Sequence, residues 1–139
     1  MKLNPYLSFD GRCQSALEFY AKTLAGKVVM SMTWGESPMA KDMPPEWGKK
    51  IIHATLDVAG QTIGASDAPP DRYEKPQGFN VTLDFDKPEE AERIFKLLSE
   101  NGAVTMPIQE TFWARRFAMF IDQFGTPWMI NCGKPMAKG

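Results

Sequence analysis

The fold of this chain is indicated by two stretches that match each other, NPYLSFDGRCQSALEFYAKTLAGKVVM at residues 4–30 and NVTLDFDKPEEAERIFKLLSENGAVTM at residues 80–106. Eight of the 27 aligned positions are identical, whereas ordinary residue usage gives about two. A second match follows, because the same Asp-x-x-Gly turn occurs at residues 57–60 and 122–125. The sequence therefore predicts an internal duplication.

Both halves show the same order of periodic patterns. Alternating apolar residues predict a first strand in each half, and helical spacing follows it. In the second half Asp86, Pro88 and Glu89 predict a helix start with a capping box. Three further strands are predicted in each half. The predicted strands are residues 4–9, 27–34, 49–57 and 61–66, and then 80–85, 103–109, 116–122 and 127–132.

Length and composition limit the class of protein. A chain of 139 residues is long enough for one domain and too short for two ordinary ones. Its net charge of -1 shows no excess of positive charge for binding nucleic acid or an anionic membrane. No apolar run approaches the length of a membrane span. We expect a cytoplasmic protein. Cys13 and Cys132 lie far apart, which favours two buried thiols over a disulfide or zinc site.

Polar residues occupy alternate positions of the predicted strands, which we call the polar parity, and apolar residues occupy the other positions, the apolar parity. Since a helix covers only one face of a sheet, the apolar parity is the helix side, and the polar parity is the candidate functional face. We expect this face to line a cleft. Its predicted residues are Asn4, Tyr6, Ser8, His53, Ser66, Asn80, Thr82 and Asn131.

The ordered motifs of the chain resemble a known family. Paired βαβββ modules are similar to the vicinal oxygen chelate superfamily of glyoxalases, bleomycin-resistance proteins and dioxygenases, and the nearest branch is PhnB-like. The resemblance is carried by the segments NPYLSF at 4–9, ALEFY at 16–20, IHA at 52–54, SD at 66–67, QETFW at 109–113 and DQFGTPWMINC at 122–132.

That resemblance implies an α+β fold and a homodimer. The expected fold is one domain over residues 1–139, with module one at about 1–68 and module two at about 77–133. The two modules are expected to form a cupped mixed sheet with helices on its outer face. PhnB-like sequences carry methyltransferase labels, but no glycine motif for a nucleotide-type methyl donor occurs here.

The resemblance also implies a set of metal positions. Metal-dependent members place His or Glu ligands at four strand positions, which match Asn4, Ser66, Asn80 and Asn131 here. Amide and hydroxyl oxygens are weak ligands for a divalent transition metal. We therefore expect no strong metal site and no cofactor, while weak binding of a divalent metal through His53 or through Asp67, if a bulge shifts the strand register, stays open.

Other candidates have a functional and a structural interpretation. His53, the only histidine, is either a general base or a hydrogen-bonded wall residue. The polar loop at 109–116 either closes over a ligand through an arginine, or is closed by its own Glu-Arg pair and an aromatic plug. Methionines and tryptophans between residues 30 and 47 form a pocket wall or, in the preferred interpretation, a core or dimer interface.

The residues favour a protein that binds a small polar or aromatic metabolite without a strong metal site, and they leave catalysis undecided. The alternatives are a metal-dependent glyoxalase-like or dioxygenase-like enzyme and a purely structural dimer. The expected partners are a small molecule and a second copy of the chain, with neither nucleic acid nor membrane. The predicted ligand-binding residues are Asn4, Tyr6, His53, Ser66, Asp67, Asn80, Glu110, Trp113, Arg116 and Asn131.

Overall fold

The computed structural model describes residues 1–135, so the last four residues of the predicted domain lie outside the described part. The chain divides into two compact units with the boundary between Lys75 and Pro76. We call them module one and module two. Within residues 1–135 no helix is long and apolar enough to cross a membrane.

Each module has the predicted βαβββ order. Module one contains β1 (Tyr6–Phe9), α1 (Cys13–Leu24), β2 (Lys27–Thr33), β3 (Ile51–Val58) and β4 (Gln61–Asp67). Module two contains β5 (Val81–Asp84), α2 (Pro88–Leu98), β6 (Ala103–Gln109), β7 (Ala114–Ile121) and β8 (Pro127–Gly133). The loop between β2 and β3 holds three short 3-10 helices, at Trp34–Glu36, Ala40–Asp42 and Pro45–Trp47.

The two sheets share one topology. Their strand orders are β1-β4-β3-β2 and β5-β8-β7-β6. In each sheet the first pair is parallel and the other two pairs are antiparallel. A parallel pair needs a crossover connection. The helix begins that connection in both modules, which confirms the predicted α+β fold of two βαβββ modules.

One apolar stripe on each helix is buried. On α1 the buried residues are Cys13, Ala16, Leu17 and Tyr20, and on α2 they are Ala91, Ile94 and Leu98. Residues spaced three and four apart lie on one helix face. The rings of Phe95 and Phe120 meet edge to face at 5.5 Å, so α2 packs on β7.

The repeated glycines Gly26 and Gly102 follow the two helices for a steric reason. A Cβ atom on Gly26 would lie 2.7 Å from the carbonyl oxygen of Asp57, and one on Gly102 would collide with the carbonyl oxygen of Ile121. The chain leaving each helix therefore approaches the backbone of the next-but-one strand too closely for any side chain. This contact explains one identity of the repeat.

The predicted Asp-x-x-Gly turns join the last two strands of each module. Asp57 accepts a hydrogen bond from the Gly60 amide at 3.1 Å. Ala59 and Gly60 have φ values of 54° and 81°, as a two-residue hairpin turn requires. In module two the Asp122 carboxylate accepts from the amides of Phe124 and Thr126.

The predicted start of α2 is wrong by one residue. Lys87 is the N-cap, and its side chain makes no capping hydrogen bond. Pro88 occupies the first turn as expected, with Glu89 and Glu90 beside it. These carboxylates interact favourably with the positive end of the helix dipole without a capping box.

Both cysteines are free and buried, as predicted. Burial, and secondarily the nearby Asp67 carboxylate, raises the pKa of the Cys13 thiol to about 12. The thiol is therefore neutral at physiological pH and does not act as a nucleophile.

Asp67 joins three segments of module one from within the core. It is 1 % exposed. Its Oδ1 accepts hydrogen bonds from the amides of Gly11 and Cys13, and its Oδ2 accepts from the amide of Ile51, all at 2.9 Å. The Asp67 carbonyl also accepts from the indole of Trp34 at 3.2 Å. One carboxylate thus ties the start of α1 and the start of β3 to the end of β4.

We predict that Asp67→Asn lowers the free energy of unfolding by about 3 kcal/mol, because an amide offers one acceptor oxygen where three buried N–H groups need two. Urea unfolding followed by circular dichroism measures the loss. Asp71→Asn, the same change at an exposed loop position, is the control and should alter stability little. An equal effect of both variants would contradict this role of Asp67.

Candidate functional site

Each sheet has one face that its helix does not cover, which we call the open face. In module one the register places Tyr6 and Ser8 of β1 level with Gly64 and Ser66 of β4. His53 of β3 has the same side-chain direction as Thr55, which is paired with Gly64. Successive strand residues alternate between faces. The predicted polar parity of module one is therefore confirmed.

Tyr6 and His53 form a pair on the open face of module one. The Tyr6 hydroxyl lies 3.0 Å from His53 Nδ1, and the two rings lie 13° from parallel with their centroids 5.7 Å apart. The hydroxyl is also 3.4 Å from the Ala65 carbonyl oxygen. It has one hydrogen and two neighbouring acceptors, so donation to Ala65 leaves it free to accept from a protonated Nδ1.

Gly64 allows this pair to form. Tyr6 and His53 lie on β1 and β3, with β4 between them. A Cβ atom on Gly64 would lie 2.6 Å from Tyr6 Cδ2. The Tyr6 ring therefore crosses β4 directly over the glycine. Hydrophobic periodicity does not identify Gly64, although a glycine within an alternating strand is a signal of close approach.

The neighbours of this pair are small and polar. Ser8 and Ser66 are paired across β1 and β4, and the continuous register keeps Ser66 on the open face. Asn4 lies just before β1, where its Oδ1 accepts a hydrogen bond from the Thr62 hydroxyl at 3.0 Å. Tyr6 is 51 % exposed, so the aromatic surface of the pair is accessible.

The open face of module two has different chemistry. Asn131 of β8 is paired with Asp84 of β5 and with Phe117 of β7. The Asn131 amide nitrogen donates to Asp84 Oδ1 at 3.0 Å. Phe117 meets the Trp113 ring edge to face at 5.1 Å. Asn80 is half-buried just before β5, at the position that matches Asn4.

Asp67 and Arg116 lie on the helix side of their sheets rather than with the other candidates. Asp67 is buried on its three backbone donors, as described above. Arg116 is paired with the buried Cys132, and its Nε donates to Glu92 of α2 at 2.6 Å. This hydrogen bond is the main reason that the pKa of Arg116 is raised. The prediction for Asp67 assumed a bulge that the continuous register of β1 and β4 does not contain. The prediction for Arg116 was wrong because its partner Glu92, on α2, cannot be identified from the strand pattern.

The loop before β7 is closed by a pairing different from the expected one. Glu110 forms an ion pair with Lys134 at 3.0 Å rather than with an arginine. Arg115 donates to the carbonyl oxygens of Asp86 and Gly133. Trp113 remains 44 % exposed, so it is an accessible aromatic at the end of module two.

The methionine and tryptophan cluster separates into core and surface. Trp34 is 6 % exposed and belongs to the core, as preferred. Met30, Met32 and Met39 are 41 %, 42 % and 43 % exposed. These methionines leave an apolar surface on the β2 side of module one.

Comparisons with known proteins support one family. Residues 1–131 match the family model described as 3-demethylubiquinone-9 3-methyltransferase. Protein YjdN of Escherichia coli is 39 % identical over 142 aligned positions, which cover 96 % of this chain and 97 % of YjdN. The crystal structure of PA1353 from Pseudomonas aeruginosa is 40 % identical, with a TM-score of 0.87 over 97 % of this chain and 99 % of that one.

The chain belongs to the PhnB-like family. A PhnB protein from Bacillus cereus, titled a putative 3-demethylubiquinone-9 3-methyltransferase, shares the fold at 21 % identity, with a TM-score of 0.81 over 96 % of this chain and all of that one. A glyoxylase/bleomycin resistance protein/dioxygenase domain from Frankia shares it at 13 % identity, with a TM-score of 0.68 over 96 % and 98 % of the chains. These two structures share the fold of this chain, and it is the fold that the sequence predicted.

The four superfamily metal positions of this PhnB-like chain hold donors that do not suit a transition metal. Asn4 Oδ1 already accepts from Thr62, and the amide nitrogen of Asn131 is turned towards Asp84. Ser66 and Asn80 supply a hydroxyl and an amide. Among residues 1–135 no group of three His, Cys, Asp or Glu side chains lies close enough to hold a metal ion. The residues present therefore do not fit the His and Glu set that the resemblance implies for metal-dependent members.

We predict that Gly64→Ala separates Tyr6 from His53, because the new methyl group occupies the space of the Tyr6 ring. Contacts between the two rings in nuclear Overhauser spectra should disappear, while the free energy of unfolding falls by only about 1 kcal/mol, since the exposed ring can turn away. Gly133→Ala is the control, since its Cβ would meet no described atom within 4 Å. Ring contacts that survive Gly64→Ala would contradict the steric role of this glycine.

Proposed function

We propose that this PhnB-like protein binds a small polar or aromatic molecule through the open faces of its sheets. The Tyr6–His53 pair carries the proposal. An aromatic ring that is 51 % exposed and fixed by a 3.0 Å contact to an imidazole presents a preorganised surface for a planar ligand. Preorganisation lowers the entropy cost of binding, and offset aromatic pairs contribute beyond their buried area.

The polar neighbours of the pair supply directional contacts. The Nδ1 atom of His53 contacts the Tyr6 hydroxyl, so Nε2 is the ring nitrogen left for a ligand. Ser8 and Ser66 lie on the same face, and each hydroxyl both donates and accepts. A few polar groups around an apolar surface are typical of small-molecule sites. Binding is the proposed function, and no reaction is assigned to these residues.

A thermal-shift screen of small aromatic and polar metabolites tests the proposal. A ligand that binds only the folded state raises the melting temperature. We expect Tyr6→Ala to weaken the binding of such a compound roughly tenfold or more, because the stacking surface is lost. His53→Ala should weaken binding as well. Phe79→Ala is the control, because Phe79 is a similarly exposed aromatic at 48 %.

Two results would contradict the proposal. One is a screen in which no compound raises the melting temperature. The other is a compound whose shift is the same in Tyr6→Ala as in the unchanged protein and in Phe79→Ala.

The proposal includes a homodimer in the cytoplasm, as is common in this superfamily. The exposed Val29, Met30 and Met32 of β2 support it, since they leave apolar surface at a sheet edge that has no further strand in module one. Sedimentation equilibrium should give twice the mass of the chain. Met32→Lys should raise the dissociation constant of the dimer, whereas Lys27→Met at the other end of β2 should not. A monomer at micromolar concentration would contradict the dimer.

A further inference from the structure

The open face of module two carries a row of four side chains across the sheet, of which Phe117 is buried. Asp84, Asn131 and Phe117 are successive partners on β5, β8 and β7, and Gln109 of β6 is the next partner of Phe117. The row therefore runs from a carboxylate through an amide and an aromatic ring to a second amide. Module one has Ser8 and Ser66 at the positions that match Asp84 and Asn131, so the charge is specific to module two.

Asn131 holds the Asp84 carboxylate in place. An ionised carboxylate only accepts hydrogen bonds, so the amide must turn its NH2 group towards Asp84. The observed contact is Asn131 Nδ2 to Asp84 Oδ1, at 3.0 Å. This orientation leaves Asn131 Oδ1 buried without a hydrogen-bond donor among residues 1–135. An unsatisfied buried acceptor destabilises the fold, and this cost accompanies the contact that fixes the carboxylate.

Asp84 is exposed and has no cationic partner within residues 1–135. Three basic side chains of module two, those of Arg115, Arg116 and Lys134, are occupied elsewhere. Arg115 donates to two backbone carbonyls, Arg116 is bonded to Glu92, and Lys134 is paired with Glu110. The negative charge of Asp84 is therefore available to a cation from solution.

Open space and an aromatic wall lie beside the carboxylate. Gly133 follows Asn131 on the same side of β8, and a Cβ atom there would meet no described atom within 4 Å. The Trp113 ring packs on Phe117 and is 44 % exposed. Two strand spacings, roughly 10 Å, separate β5 from β7. This separation suits a cationic group joined by a short chain to an aromatic ring.

We propose that module two binds a protonated amine on a small aromatic body, with Asp84 pairing with the ammonium group and Trp113 contacting the ring. This inference rests on the proposed binding function and names the charged group of the ligand. A metal ion fits less well, because Asn131 directs its amide nitrogen towards Asp84 and its oxygen away. An anionic ligand would be repelled by the exposed carboxylate. Asn131 is a positioning residue in this arrangement.

The test compares three probes of similar shape and different charge: phenethylammonium, phenethyl alcohol and hydrocinnamate. NMR titration of the backbone amide resonances at neutral pH gives both the affinity and the location. We expect phenethylammonium to bind at least roughly tenfold more tightly than the alcohol, since a charge-assisted hydrogen bond is stronger than a neutral one. The perturbed resonances should include Asp84, Asn131 and Gly133.

Variants separate the local carboxylate from the general charge of the protein. Asp84→Asn keeps an acceptor for Asn131 and removes the charge, so the preference for phenethylammonium over the alcohol should fall to near one. Glu89→Gln, an exposed charge removal in the first turn of α2, should leave the preference unchanged. Trp113→Ala should weaken all three probes without changing their order.

Several results would overturn the inference. They are equal affinity for ammonium and alcohol, tighter binding of hydrocinnamate, or an equal loss of preference in Glu89→Gln and Asp84→Asn. If a neutral aromatic perturbs Tyr6 and His53 while phenethylammonium shows no preference for module two, this inference fails and the proposed function stands. If no probe of any charge binds to either open face, this inference fails, and the wider thermal-shift screen decides the proposed function.

Discussion

A single helix of eleven or twelve residues covers only one face of a four-stranded sheet, and both modules depend on this constraint. Packing against the buried stripe of the helix favours apolar residues at every other strand position. The pleat then directs every other side chain to the opposite face. Tyr6, His53 and Asn131 are on the open faces because their strand neighbours are in the core. The positions that can meet a ligand are therefore set by the same packing that stabilises each module.

The sequence was sufficient for those parts of the structure that depend on local periodicity. The repeat, the two hairpins and the polar parity follow from residues close together in the chain. The functions of individual side chains depended on partners far away in sequence. Asp67 binds amides of residues 11, 13 and 51, and Arg116 reaches Glu92. The spacing of residues in the sequence does not identify the partners of Asp67 or of Arg116. The start of α2 differs from the prediction by one residue for a local reason, since Glu89 and Glu90 in the first turn stabilise that helix end without a cap.

Three glycines mark close contacts that the periodic pattern of apolar residues does not predict. Gly26 and Gly102 mark where the chain passes against a strand backbone, and Gly64 marks where the Tyr6 ring crosses β4. Each of these close approaches is possible only because the glycine has no side chain, so a pattern of hydrophobic side chains does not reveal it. Gly64 is also the residue on which the Tyr6–His53 pair depends, although it contributes no functional group. A glycine in a strand interior normally weakens the strand. Its presence in β4 is explained by the ring that it accommodates.

The two modules share one topology and differ in the chemistry of their open faces. The matching positions Asp67 and Cys132 are both buried on the helix side, although one is a carboxylate and the other a thiol. The matching open-face pairs are two serines in module one and Asp84 with Asn131 in module two. A core position must fill a fixed volume, whereas an open-face position tolerates exchange of chemistry at small cost in stability. Duplication therefore supplied two copies of one scaffold. In the proposed function, the aromatic pair on the first module and the carboxylate fixed by Asn131 on the second are two kinds of recognition group that a single module would have to combine on one small face.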